Sequence, residues 1–446
     1  MCAQARLRRR SSFGSGRIAA VSEAPIPLED ARAQVLAAAG ELASARLAED
    51  GAIETAAIEQ ALGRTLAQDL RAPHPLPPFD ASAMDGYALR AADVARAGPQ
   101  APVALSICGE ARAGHPFSGT LQSGQAVVIS TGAMLPVGAD AVARLEEARR
   151  EAQRVLIDRP LRAGSDVRAA GEEVVTGEVV LAAGRRLSPV ELALAAALGY
   201  ARVPVARPPR VALLATGDEL LTPAAEASGA TLGAGQIFES NTFGLAALAQ
   251  LAGASVVGRS HARDEREQLA EALGRTLAAD VAVICGGVSV GPHDHVSETL
   301  AALAVERRFH GVALQPGKPI WFGVQRSRKL VFGLPGNPVS ALVGFVLFVG
   351  PALRRLLGAD PVPERLQACL AEGYRKQPGR TLALRCTLRQ EAERLVAAPT
   401  GAQGSHLLSS LRDAQGLAIL PAERGELAAG ELVAVEPLAP WLGWRW

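Results

Sequence analysis

The sequence predicts a multidomain α/β plus β protein: a doubly wound α/β domain, an inserted all-β domain, a discontinuous helical domain and a small C-terminal β-barrel. Three observations lead there. A chain of 446 residues is too long for one hydrophobic core. Short continuous apolar runs at Val211–Ala215, Val281–Cys285 and Leu330–Phe332 each lead into a loop of Gly, Thr, Ser or Pro. Helical stretches separate them, as in a parallel sheet buried on both faces. On either side of this block lie β-like runs broken by Gly, Pro and Asp.

Residues 1–24 are rich in Arg, Ser and Gly, lack an apolar core, and read as a disordered tail. Residues 28–66 read as helical: an Ala/Leu-rich amphipathic run from Leu28, then a short helix over Ala57–Leu62 closed by Gly63. From residue 67 the texture turns to β, with runs at Val103–Ile107, Ala126–Ile129, Ala141–Leu145 and Val155–Ile157. Ser188-Pro189-Val190-Glu191 then supplies an N-cap, a Pro at the first helical position and the Glu of a capping box. The apolar helix that follows is stopped by Gly199. Packing of that helix with the N-terminal ones gives a discontinuous linker domain over 25–66 and 166–206, around a β-rich insert at 67–165. The α/β domain takes 207–358, with helices at Thr242–Leu251 and Glu265–Leu277. Pro361 and Pro363 mark the last boundary, and 359–446 carries β runs at Thr381–Leu388, Arg394–Ala398, Gly416–Leu420 and Leu432–Val435 that fit a small barrel.

Composition narrows the function. Lys and Arg number 46 against 45 Asp and Glu, a net charge of +1, so no global field draws nucleic acid or a membrane surface. The five cysteines are scattered without a C-x-x-C, as expected of free thiols in a reducing cytoplasm. His293-Asp294-His295 is the one histidine cluster, and no further Cys or His stands at a familiar metal spacing. Pro338–Leu353 is the longest uncharged apolar segment. It is shorter than a bilayer span and is interrupted by Gly344, Gly350 and Pro351, so it reads as a buried core helix.

The chemistry-bearing motifs lie on loops. Pro78-Phe79-Asp80-Ala81-Ser82-Ala83-Met84-Asp85-Gly86-Tyr87-Ala88 sets two carboxylates and a hydroxyl in an aperiodic run after a Pro cluster. Three further loops follow the three apolar strands, where an open α/β sheet binds ligands. They are Thr216-Gly217-Asp218-Glu219-Leu220, Gly286-Gly287-Val288-Ser289-Val290-Gly291-Pro292-His293-Asp294, and Leu334-Pro335-Gly336-Asn337-Pro338-Val339-Ser340. Glycines let backbone N–H groups approach a phosphate, and a following helix N-terminus adds a favourable dipole. Asp218, Glu219 and Asp294 are hard oxygen ligands suited to Mg2+ beside a phosphate. Any one of these turns serves equally as a plain strand-to-helix connection; three in one sheet, two with carboxylates, favour a phosphate-bearing ligand. Neither a G-x-x-x-x-G-K-[ST] loop nor a strand followed by G-x-G-x-x-G is present, which argues against a P-loop ATPase and a dinucleotide site. Gln315-Pro316-Gly317-Lys318-Pro319 presents one Lys on a rigid turn, and Ile129–Val142 combines a strand end, Thr131 and a tight turn. An exposed Lys and a plain β-turn are the simpler readings of these two.

Together these residues resemble the molybdopterin molybdenumtransferases, the family that includes the gephyrin E-domain. Phe79–Ala88 is similar to the family's F-D-N-S-A-M-D-G-Y-A. Thr131–Asp140, Thr216–Leu220, Gly286–Asp294, Pro316–Pro319, Leu334–Ser340 and Gln403–Ser409 resemble its other motifs in order. The resemblance runs from about residue 25 to the end. It implies insertion of molybdate into adenylylated molybdopterin, Mg2+-dependent release of AMP, and a homodimer whose site is shared between subunits. A molybdopterin adenylyltransferase is an implied partner. The implied catalytic set is Asp80, Ser82, Thr131, Glu219 and Asp294, with Asp80 orienting or deprotonating a water. Substrate and phosphate fall to Thr216, Gly217, Asp218, Asn241, Asp264, Gly286, Gly287, Ser289, Gly291, Pro335, Gly336, Asn337, Pro338 and Ser340. Molybdate falls to Lys318, Pro319, Arg380 and Ser405, and the metal to Asp294, Glu219 and Asp218. A cytoplasmic enzyme without nucleic-acid or membrane partners is expected.

Three positions depart from the family pattern: Ala81 for the usual Asn, Glu173 for Asp, and Gln315 where Lys is frequent. They bear on oxyanion affinity more than on reaction class. A non-catalytic molybdopterin-binding scaffold, a tungstate-inserting homologue and a nucleotide hydrolase on the same α/β fold are the competing readings.

Overall fold

The structure, a computed structural model, describes residues 24–47, 49, 51–223, 231–288, 295–326, 328–362 and 364–439. The expected N-terminal tail up to Glu23, and Ser289, Gly291 and Asp294, lie outside the described residues. The chain falls into two compact units, one of Pro208–Leu356 with the flanking N- and C-terminal segments, the other of Asp50–Arg207 with Leu357–Ala359.

The α/β part of the first unit is a six-stranded sheet. Its order is Ser255–Ala262, Arg210–Thr216, Val281–Cys285, Lys329–Leu334, Trp321–Gln325 and Val305–His310. The first four strands are parallel, and the last two run antiparallel to their neighbours. The three apolar runs of the sequence are the three central strands, buried throughout or nearly so. Helices Asn241–Leu251 and Arg266–Thr276 lie within a residue or so of expectation. Pro338–Leu356 is one helical run with a π-helical middle, Phe345–Val349. This run is long and apolar enough to cross a membrane, yet it is 83% buried inside the protein. Phe345, Leu347, Val349 and Leu353 stand at the centre of the largest core cluster, as the core-helix reading requires.

The C-terminal segment closes a ring of strands. Its order around the ring is Leu366–Leu370, Arg394–Pro399, Thr381–Glu391, Gly416–Leu420 and Leu432–Pro437, which pairs back with Leu366–Leu370. Alternation along Thr381–Glu391 puts Leu382, Leu384 and Cys386 in the barrel core, while Ala383 joins the α/β core cluster.

The N-terminal helix Leu28–Leu47 differs from expectation in its packing. Its buried residues Leu28, Ala31, Val35, Ala39 and Leu42 join the α/β core, not a linker domain. Arg46 pairs with Asp280, and Arg32 reaches the fully buried Glu436 at 3.2 Å, so the helix is bound to its unit by ion pairs as well as by packing. Nor does the helix continue to residue 66. Ile53–Ala57 is a strand paired with Arg202–Ala206, and the expected short helix is one 3-10 turn, Ile58–Gln60. Val203 and Val205 must bury their side chains in a small core with Ala61, Leu66 and Leu187, and the strand pairing wins over local helix propensity.

The rest of the second unit is β-rich as predicted. A six-stranded sheet runs Ala141–Arg144, Gly86–Leu89, Gln125–Ile129, Val103–Ala111, Arg154–Ile157 and Ala148–Glu151. Helix Pro189–Ala197 carries the capping box read from the sequence: Val190 N donates to Ser188 Oγ at 3.2 Å and Ser188 N donates to Glu191 Oε2 at 2.9 Å.

Candidate active site

At the carboxyl ends of the parallel strands a cleft of about 600 Å3 opens between the first and third loops. Thr216, the last residue of its strand, lies in the cleft wall with a buried Oγ1 that has no hydrogen-bond partner among the described residues. Gly286 and Gly287 pack directly on it. A Cβ at Gly286 would stand 2.6 Å from Thr216 O, and one at Gly287 2.8 Å from Thr216 Oγ1. Both glycines have positive φ, so the sequence needs Gly there for conformation and for space. The Thr216 hydroxyl is therefore held at the cleft with its hydrogen-bonding capacity unspent on any described residue.

The opposite rim is acidic. The Glu219 carboxylate folds back over Gly217, where a Cβ would come within 2.5 Å of it. His261 Nε2 donates to Gly217 O at 2.8 Å, and Asp264 N donates to Asp218 Oδ1 at 3.3 Å. Desolvation raises the pKa of Asp264, the charges of Asp218 and Glu219 raise it further, and His295 and His261 oppose them. Buried Glu239 closes the wall, accepting from Thr242 N at 2.7 Å and Thr242 Oγ1 at 2.6 Å. Cys285 also lines the cleft, but burial raises its pKa so far that the thiol stays protonated and is no nucleophile. Among the described residues no three His, Cys, Asp or Glu side chains form a ready-made metal cage.

A second cavity of about 860 Å3 has the opposite character. Lys318, Arg375, Lys376 and Arg380 line it, and among the described residues no carboxylate does. Arg375 is partly neutralised by Glu426 at 3.0 Å, whereas Lys318 makes no ion pair among the described residues. Lys376 Nζ donates to Arg380 O at 2.9 Å, and desolvation lowers its pKa against the pull of Glu423. Asn337 lines both cavities. Its Nδ2 donates to Ser405 Oγ at 3.2 Å, and Asn241 Nδ2 donates to Gly336 O at 2.7 Å. The third loop is thus pinned on one side to the acidic cleft and on the other to the C-terminal segment.

The Phe79–Ala88 run lies in the β-rich unit and is a paired loop. Ser82 N donates to Ala133 O at 3.0 Å and Gly132 N to Ser82 O at 2.8 Å, which brings the Thr131 turn alongside. Asp80 Oδ1 accepts from Ala170 N at 2.8 Å. Asp85 Oδ1 accepts from Thr131 N at 2.7 Å and Thr131 Oγ1 at 3.2 Å. Gly86 is obligatory, since a Cβ there would overlap Ala143 O at 1.9 Å.

Known proteins share this architecture. Residues 26–199 match the model of the MoeA N-terminal region (domain I and II), 212–355 the probable molybdopterin binding domain, and 367–438 the MoeA C-terminal region (domain IV). Molybdopterin molybdenumtransferase 2 of Mycobacterium tuberculosis (strain ATCC 25618 / H37Rv) is 38% identical over 388 residues, covering 85% of this chain and 94% of that protein. The chain belongs to the molybdopterin molybdenumtransferase family. The molybdopterin molybdenumtransferase of Bacillus subtilis (strain 168) is 34% identical over 417 residues, 92% of this chain and 94% of that one. The crystal structure of the molybdopterin biosynthesis MoeA protein from Pyrococcus horikosii matches with a TM-score of 0.76 at 34% identity, covering 94% of this chain and all of that one.

Against this molybdenumtransferase frame, the residues singled out from sequence fall into three places. Thr216, Gly217, Glu219, Asn241, Asp264, Gly286, Gly287, Gly336, Asn337 and Pro338 line the acidic cleft, with Asp218 adjoining. Lys318, Pro319, Pro335, Ser340, Arg380 and Ser405 line the cationic cavity. Asp80, Ser82 and Thr131 belong to the β-rich unit. Ser82 is fully buried and its Oγ donates to Met84 O at 2.6 Å, so it shapes the loop and has no hydroxyl proton left for a ligand. Sequence reasoning passed over Glu239, His406, Lys376, Gln403 and Asp85. Asp85 and Gln403 stood inside motifs already singled out; Lys376 sits in a run with no pattern of its own.

Proposed function

We propose that this chain inserts molybdate into adenylylated molybdopterin and releases AMP in an Mg2+-dependent hydrolysis of the adenylate bond. The observation that carries this reading is the division of one site into an acidic cleft and a cationic cavity that share Asn337. A phosphoanhydride with a divalent cation and a free tetrahedral dianion are the two ligand types that such a pair accommodates.

The acidic rim fits Mg2+ by its chemistry. Burial raises the Asp264 pKa, and the charges of Asp218 and Glu219 raise it further, a repulsion that a cation relieves. Mg2+ typically takes one or two carboxylates and completes its shell with water and substrate phosphate, so the lack of a closed cage among the described residues suits it. Glu219, Asp218 and Asp294 would hold the ion, which when bound supplies charge neutralisation at the phosphoanhydride. The Thr216 hydroxyl and the backbone at Gly286 and Gly287 bind and orient the phosphates. Lys318 and Arg380 hold molybdate by charge, with Pro319 and Ser405 shaping its pocket.

Asp80 orients the attacking water and takes its proton. The Ala170 N–H fixes one carboxylate oxygen and leaves the other unclaimed among the described residues. Because Asp80 and Thr131 sit on the β-rich unit, a homodimer in which that unit completes the partner's cleft is part of the proposal. A molybdopterin adenylyltransferase would supply the substrate, in the cytoplasm and without nucleic acid or membrane. The test is AMP release from adenylylated molybdopterin with Mg2+, with and without molybdate, in the native chain and Asp80→Ala. Molybdate-dependent release that collapses in the variant is expected. Release indifferent to molybdate would make the chain a hydrolase, and tight binding without release would make it a scaffold.

A further inference from the structure

Arg385 is the one arginine in the described chain with no solvent exposure at all. Strand alternation puts it on the face of Thr381–Glu391 opposite the barrel core residues Leu384 and Cys386. No carboxylate pairs with it among the described residues. Its Nη2 donates to Gly404 O at 3.3 Å and to Ala402 O at 3.5 Å, while Nε and Nη1 have no partner among the described residues. Burial lowers its pKa, and the Tyr374 phenol opposes that shift. A guanidinium nonetheless stays charged at neutral pH.

The segment around Arg385 is built onto it. Gln403 brackets its backbone, with Oε1 accepting from Arg385 N at 2.9 Å and Nε2 donating to Arg385 O at 3.2 Å. Thr400 N donates to the same carbonyl at 3.0 Å. Gln403, Gly404 and Ser405 then form one wall of the cationic cavity, and Tyr374 another part of it. A charge buried without a counter-ion is costly, and removing it from an otherwise sound fold is often neutral or stabilising. The cost is accepted next to a cavity that is already cationic.

We propose that Arg385 is a positioning residue for the oxyanion. It fixes the Gln403–Ser405 wall through the two carbonyls and adds an uncompensated positive charge behind it, which a bound tetrahedral dianion neutralises. The inference rests on the oxyanion reading of the cationic cavity.

The test compares Arg385→Met, Arg385→Lys and Lys318→Ala in the full chain, with molybdate as the probe. Calorimetric titration gives affinity, and thermal melting with and without molybdate gives stability. Arg385→Met should weaken molybdate at least about tenfold, equivalent to about 1.4 kcal/mol. Its oxyanion-free melting temperature should match or exceed that of the native chain, and its stabilisation by molybdate should vanish. Arg385→Lys keeps the charge and should recover part of the affinity. A merely structural arginine gives the opposite signs: Arg385→Met melts lower and binds molybdate as the native chain does, and that result overturns the inference. If Lys318→Ala weakens binding while Arg385→Met does not, this inference falls and the oxyanion cavity stands. If the native chain binds no molybdate, both fall.

Discussion

Gly286→Ala tests how the phosphate side of the site is made. Gly286 directly follows the strand Val281–Cys285 at φ +90°, a left-handed conformation that costs an L-residue about 1–2 kcal/mol. The added Cβ would stand 2.6 Å from Thr216 O, well inside ordinary contact. Neither partner yields easily: Gly286 N donates to Leu334 O at 3.1 Å, and Thr216 is held in register with Ala262 of the neighbouring strand. Relieving such overpacking typically adds about 1–3 kcal/mol, so the total loss is about 2–5 kcal/mol. The relief separates the first and second loops and displaces Thr216 Oγ1, so affinity for adenylylated molybdopterin should fall more than about tenfold. Gly430→Ala is the control, because its φ is +79° but nothing lies within 4 Å of the added Cβ. It should lose only the conformational part and bind ligand normally. Denaturant unfolding and ligand titration of both variants decide the matter. Equal destabilisation of the two, with native ligand affinity in Gly286→Ala, would refute the cradle argument.

Other perturbations have equally definite signs. The Ser188 hydroxyl and Arg185 hold the Glu191 pKa down to about 2 against the effect of burial, so its stabilisation is present above 4.5 and lost as pH falls through about 2. Glu191→Gln should cost about 1–2 kcal/mol at neutral pH and flatten the acid limb of a pH–stability profile. Asp264 is the reverse case, with a folded pKa above 3.8, so its contribution is favourable below that value and is lost as pH rises through the folded one. Asp264→Asn should therefore raise the melting temperature of the cation-free protein at neutral pH and reduce stabilisation by added Mg2+. Glu436 is fully buried and meets Arg32 and Arg365, each at 3.2 Å. Glu436→Gln leaves two cations facing a neutral amide and should cost about 3–5 kcal/mol by denaturant unfolding.

The parts legible in the sequence are those where one local signal fixes the structure. Val211–Ala215 and Val281–Cys285 are apolar enough that only a strand buried on both faces satisfies them. Ser188-Pro189-Val190-Glu191 dictates its own cap. Edge strands were hidden because half of each faces water: Val305–His310 carries Glu306, Arg307 and Arg308, and Ser255–Ala262 carries Gly258 and Arg259. The N-terminal helix was read correctly to Leu47 and wrongly beyond, since a pairing with residues 202–206 has no local signature. In the site, Gly and carboxylate loops announced the acidic cleft. Arg385 gave no signal, because an Arg inside a β-run normally faces solvent, and only the closed barrel with the segment wrapped over it shows a buried charge.

The central claim is that one site has two electrically opposite halves with separate tasks. Single-turnover AMP release, measured across molybdate and Mg2+ concentrations for Lys318→Ala and Glu219→Gln, tests it most directly. Lys318→Ala should raise the molybdate requirement about tenfold or more and leave the Mg2+ requirement unchanged. Glu219→Gln should raise the Mg2+ requirement and leave that for molybdate unchanged. Variants that shift both requirements together, or neither, would contradict the division.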